Sequence, residues 1–143
     1  MDYEILDNIT SADIALSVKG ESLSDIFIKA GNALVAEMTD YPGRIRDIES
    51  RCSIVSNPDL ELLLFNFLNE ILFYKDSEGL ILKPVYTKIE LKGTEFLCSY
   101  KLYGEKIKKS NCGFRVDIKG VALHRLEIIR SGDSYSAVIV FDV

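Results

Sequence analysis

The 143-residue chain has no tryptophan, a single histidine, three prolines and three cysteines. Each scarcity removes a class of explanation. Cys52, Cys98 and Cys112 are odd in number, far apart and never in C-x-x-C spacing. Neither a disulfide framework nor a zinc site is expected from them, and they read as reduced, non-catalytic thiols. The lone histidine, His124, lies between Leu123 and Arg125 in a stretch that reads as strand. With no serine or cysteine in sight to build a triad, it reads first as structural and only second as a weaker site candidate. Basic charge is also short: 17 lysines and arginines against 22 acids leave a net charge of −5. No strong positive field is then available to recruit nucleic acid through counterion release, so RNA, if involved, is expected to be held mostly by another component. Long apolar runs are missing as well, and the opening M-D-Y-E-I-L-D has no basic region followed by an apolar stretch. A signal peptide and a membrane span are therefore not expected, and the protein reads as cytoplasmic.

What is present is the punctuation of one α+β domain spanning 1–143, with turn signals every ten to twenty residues and no internal repeat. Residues 2–6 and 13–19 alternate apolar and polar and read as strands, joined by a loop that brings two acids, Asp7 and Asp13. From Ser22 the period becomes helical, with Leu23, Ile26, Phe27, Ala30, Ala33, Leu34 and Met38 on one face and an S-x-x-D capping signature at the start. Residues 44–56 read as a strand, and Asn57-Pro58 as the cap and first turn of a second helix over 58–74. That helix is apolar around most of its circumference, which requires deep burial or a covering partner. The rest reads as strands at 81–91, 95–103, 113–119, 123–130 and 134–143. The order β-β-α-β-α-β-β-β-β-β predicts a mixed, mainly antiparallel sheet with two helices packed on one face.

The chemistry centres on the final V-I-V-F-D-V. Both alternating faces are apolar, which marks a central strand, and Asp142 shares a face with Val138 and Val140 beside the main-chain carboxylate of Val143. Two anions so close need a cation or hydrogen-bond donors, and a hard cation bridging oxygens is the natural answer. Asp13, next to a loop holding Thr10 and Ser11, is the third acid that strand-end geometry could bring there. The alternative is that Asp13 caps a turn and Asp142 meets solvent at a frayed end. Lys106, Lys108 and Lys109 read as a solvated basic turn, and no aromatic interleaving in sequence suggests base stacking. Lys119, alternating with Arg115 and Asp117, reads as part of a polar sheet face.

These residues also resemble a family. Y-E-I-L-D-N-I-T-S-A-D-I is similar to the opening of archease, whose pattern is Y-E-x-L-D-H-T-A-D-[VI]. L-L-F-N-F-L-N-E-I-L-F-Y-K-D-S-E-G-L resembles its second helix, L-Y-G-E-K its mid-chain turn, and D-I-K-G-V-A-L-H-R-L-E-I its [ED]-V-K-A-[IV]-T-Y-H segment. F-D-V resembles its ending, [FI]-D-[IV]. The resemblance implies an accessory protein, not an enzyme, that promotes guanylylation and turnover of an RtcB-type RNA ligase in tRNA splicing and touches RNA only through that partner. It further implies a bound divalent cation, calcium first with magnesium or manganese as alternatives, on Asp13, Asp142 and Val143, and a role in activation for Lys119.

The chain departs from the family pattern in three places. Asn8 stands where the family has histidine, two extra residues separate it from Asp13, and Ala122 replaces a threonine. Two other classes compete with the accessory reading. A metal-dependent hydrolase would need a general base that the sequence does not supply, and a chaperone-like or RNA-binding module would need an exposed apolar or basic surface.

Overall fold

The computed structural model of the protein describes residues 3–6 and 13–143; Asp7, Asn8, Thr10 and Ser11 lie outside them. Ten elements follow in the expected order: β1 Tyr3–Leu6, β2 Asp13–Gly20, α1 Leu23–Met38, β3 Glu49–Asn57, α2 Leu60–Glu78, β4 Leu80–Lys92, β5 Glu95–Lys106, β6 Gly120–Val121, β7 Glu127–Ser131 and β8 Ser134–Asp142.

Local chemistry sets the helix limits. The Ser22 side chain accepts from the Asp25 amide at 3.0 Å and starts α1, satisfying one of the donors that a helix N-terminus leaves free. α2 begins two residues later than the Asn57-Pro58 reading, because Asp59 is the residue whose carboxylate accepts from the Leu62 amide, at 3.0 Å. It also runs on to Glu78, where Gly79 at φ +66° provides the left-handed cap. The chain itself covers the core stripe of α2, where Leu63, Leu64, Phe67, Leu68 and Ile71 are almost fully buried, while Phe73 on another side is 56% exposed.

The strands divide between two sheets instead of forming one, and every pairing among the described residues is antiparallel, so the sheet is not mixed. The larger sheet runs β1-β2-β8, with β6 and β7 sharing the far side of β8; the smaller runs β3-β5-β4. β8 is thus internal, as its two-sided apolar pattern predicts. Each helix touches both sheets, α1 through β2, β8 and β4, and α2 through β3, β4, β5, β6 and β7. Phe27 of α1, Phe67 of α2 and Tyr100 of β5 form a chain of ring contacts at 5.6 and 5.7 Å through the main core.

Two expected strands differ. Residues 113–119 alternate as read but pair with no strand. From Gly113 at φ +71° the segment runs alongside the end of α1, and its Arg115 amide donates to the Met38 carbonyl at 2.8 Å. Alternation here reports burial of one side, including Ile118 at 0% exposure, without a ladder. Residues 123–125 form a 3-10 turn, so His124 is exposed on a turn and not mid-strand.

Candidate functional site

Register brings the acids together. β2 and β8 pair with Asp13 directly opposite Asp142, and β6 places Gly120 opposite Asp142 on its other side. Opposed residues in an antiparallel pair project to the same side of a sheet, with Cβ atoms about 4.5–5.5 Å apart. One row therefore reads Asp13, Asp142, Gly120, and the next reads Ala15, Val140, Ala122. The second row forms a small apolar cluster, with Leu6 packed against it, on the side away from the main core.

The acid row is open. Asp142 is exposed and Asp13 half-buried, and a Cβ built on Gly120 would lie 3.8 Å from Asp142 Oδ2. The absence of a side chain at 120 leaves room beside that carboxylate. Like charges directly opposite each other destabilise a pair of strands. Among the described residues the ion pairs go to other acids. A hard cation suits this donor set, since it takes carboxylate and main-chain oxygens together and removes the repulsion. The described residues bring two carboxylates, and no group of three or more histidine, cysteine or acidic side chains forms a metal cluster among them. Val143 follows Asp142 and is 37% exposed.

Lys119 reaches the same place through the main chain, its amide donating to the Asp142 carbonyl at 2.8 Å, while its side chain is exposed. The strap that carries it is pinned by a residue that sequence reading passes over. Lys75, in the last turn of α2 and 7% exposed, donates from Nζ to Asp117 Oδ1 at 2.7 Å and to the Ile118 carbonyl at 2.9 Å. Asp117 is held below the ordinary carboxylate range, first by that hydrogen bond and then by the lysine charge. In sequence Lys75 looks like an ordinary cation favouring a helix C-terminus. Asp7 lies outside the described residues. His124 accepts from Arg125 Nε at 3.3 Å and reaches no acid of the row by any described hydrogen bond.

A second group, also missed, lines a pocket of about 580 Å³ between β1, α1 and Lys83. Glu37, 8% exposed, accepts from the Tyr3 hydroxyl at 2.5 Å and from Arg115 Nη2 at 3.4 Å. Burial and the neighbouring carboxylate push the Tyr3 hydroxyl well above its usual value, so it remains a proton donor. Cys98 is buried and its thiol is pushed up to about 12 by desolvation, in keeping with an inert sulfur.

Comparison with known proteins covers the same span. The model of the Archease protein family matches residues 3–143. An archease of Pyrococcus furiosus is 31% identical over 137 residues, covering 93% of this chain and 94% of that protein. One from Archaeoglobus fulgidus is 29% identical over 145 residues, with both chains covered completely. Among solved structures, Methanobacterium thermoautotrophicum protein 1598 superposes with a TM-score of 0.84 at 27% identity, covering 99% of each chain. A Thermotoga maritima archease described as a possible chaperone superposes with a TM-score of 0.62 at 26% identity, covering 96% of this chain and 97% of the other.

Proposed function

We propose, from the premise that the chain belongs to the archease family, that it is an accessory protein which promotes guanylylation and repeated turnover of an RtcB-type RNA ligase. One observation carries this reading: Asp13 meets Lys119 and Asp142, each more than a hundred residues away in sequence, at one end of β8 by strand pairing and a main-chain hydrogen bond. In the proposed site Asp13, Asp142 and the main chain of Val143 hold a divalent cation, with calcium first and magnesium or manganese as alternatives. Such an ion supplies positive charge and oxygen-ligand geometry. The protein's own residues do the positioning. Lys75 holds the 117–119 strap against α2, the Lys119 amide ties that strap to β8, and the Lys119 side chain is left exposed. An ammonium group carried on a backbone anchored in this way can stabilise negative charge developing on a phosphate brought by a partner.

The test is ligase guanylylation followed over several cycles with GTP and a divalent metal. The parent protein is expected to raise turnover and to have no ligase activity of its own. Asp142→Ala and Lys119→Ala are expected to fold and to abolish the stimulation. Equal turnover with and without the parent protein, using the cognate ligase, overturns the reading.

A further inference from the structure

The outer face of the small sheet combines cations and aromatic rings in a way the linear sequence hides. The register of β3-β5-β4 gives three rows on that face: Ser50, Tyr103, Lys83; Cys52, Lys101, Tyr86; and Ile54, Ser99, Lys88. The opposite parity, which includes Leu82, Cys98, Tyr100 and Leu102, is buried under the helices. Tyrosine and lysine therefore face each other across neighbouring strands twice, in reversed order. The arrangement depends on the β-bulge between Pro84 and Tyr86. Val85 is the extra residue, and if the same sequence ran on unbulged, with Val85 paired in the ladder, Tyr86 and Lys88 would turn toward the core while Thr87 turned outward. Bulges are a recognised means of re-aiming side chains.

Charge on this face opposes that of the molecule. The rows beyond Lys88 hold Glu90 with Leu97 and Ser56, then Lys92 with Glu95, and at the other end Glu105 is buried against Arg46. On the open part of the face four lysines therefore stand against two acids, on a chain of net charge −5. Lys88 reaches Glu90 only at 3.9 Å, with its side chain 57% exposed. Tyr86 is 43% exposed, and Lys101 is exposed. Lys83 Nζ donates to the Pro42 carbonyl at 3.1 Å and keeps two further N–H groups.

We infer that this face is a docking surface for single-stranded RNA, with Lys83, Lys88 and Lys101 on phosphates and Tyr86 and Tyr103 under bases. Flat rings alternating with ammonium groups on an open sheet match a chain whose unpaired bases alternate with phosphates. A duplex, with its bases already stacked, has no use for the tyrosines. The choice of RNA over DNA rests on the ligase reading above; the rest stands on the register.

Fluorescence anisotropy with a labelled uridine 12-mer at low salt, without any ligase, tests it. Binding is expected, with a logarithmic salt slope of about −2 for three neutralised phosphates. The double variant Lys88→Glu, Lys101→Glu is expected to bind at least tenfold more weakly, and Tyr86→Ser several-fold. Lys106→Glu with Lys108→Glu, in the basic turn outside this face, is expected to bind as the parent does. Amide shift changes in the parent protein on titration are expected along β3, β4 and β5, a readout that needs no variant to fold. Absence of binding, equal affinity for duplex RNA or for DNA of the same sequence, or equal losses in both lysine pairs overturns the inference. With the ligase left out, none of these results touches the ligase reading.

Discussion

Asp13 and Asp142 stand directly opposite each other on β2 and β8, and like charges so placed weaken a strand pairing. Asp142→Asn is therefore expected to melt slightly higher than the parent in EDTA and to lose the rise in melting temperature that excess calcium gives the parent. Calorimetry under both conditions checks the two halves separately. A variant that melts lower in EDTA would mean the carboxylate has stabilising partners of its own, and a surviving calcium effect would remove Asp142 from cation binding. Asp117 adds an acid dependence of known sign. Its folded-state value lies below the ordinary 3.8 because of Lys75. The stabilisation is thus complete above the unfolded value and lost as pH falls through the folded one. Urea titrations of Asp117→Asn should show a flatter acid limb below about pH 4 and a constant offset from the parent above about pH 6.

Among the elements, the 117–119 strap depends on Lys75 more than on any strand partner. Lys75→Met removes two hydrogen bonds and leaves the Ile118 carbonyl without its donor, at an expected cost of about 1–3 kcal/mol. Hydrogen exchange at the Lys119 and Gly120 amides should accelerate beyond what the global loss explains; unchanged protection there would place the strap's order elsewhere. The strap also shows where reading the chain fails. Both helices were legible from apolar spacing, and α1 also from its Ser22 cap, although the cap of α2 is Asp59 and not the expected Asn57. The long β4–β5 hairpin was legible from alternation around Lys92-Gly93. Residues 113–119 alternate just as cleanly, yet alternation records which side is buried and not what the backbone pairs with. The acids of the candidate site were legible as acids at strand ends. Their register was not, because pairing between β2 and β8 joins segments more than a hundred residues apart. Glu105 was equally hidden. It is buried in β5 and accepts from the Arg46 amide at 2.8 Å and from Arg46 Nη2 at 2.8 Å, holding as a loop the residues that read as the start of β3.

For the molecule as a whole, the two sheets share no ladder among the described residues and cohere through the helices. Phe67, fully buried between Phe27 and Tyr100, sits where both helices and the small sheet meet. Phe67→Ala is expected to cost about 3–5 kcal/mol, and protection of β2–β8 amides should fall in step with that of β4–β5 amides. A variant whose large sheet kept parent-level protection while the small sheet opened would show two units that unfold separately. The bulge at Val85 adds a constraint of another kind, on the chain's capacity to vary. Beyond that point inside and outside in β4 are assigned by counting residues, so exchanging one outward side chain for another alters a single position. Deleting Val85 only removes the bulge, but with the bulge kept, deleting Thr87 inverts every later position up to the hairpin, sending Lys88 inward and Ile89 out. Lineages descending from this chain should therefore accumulate substitutions along β4 freely while keeping its length, and a library of single-residue deletions should show the same asymmetry in the fraction of clones that fold.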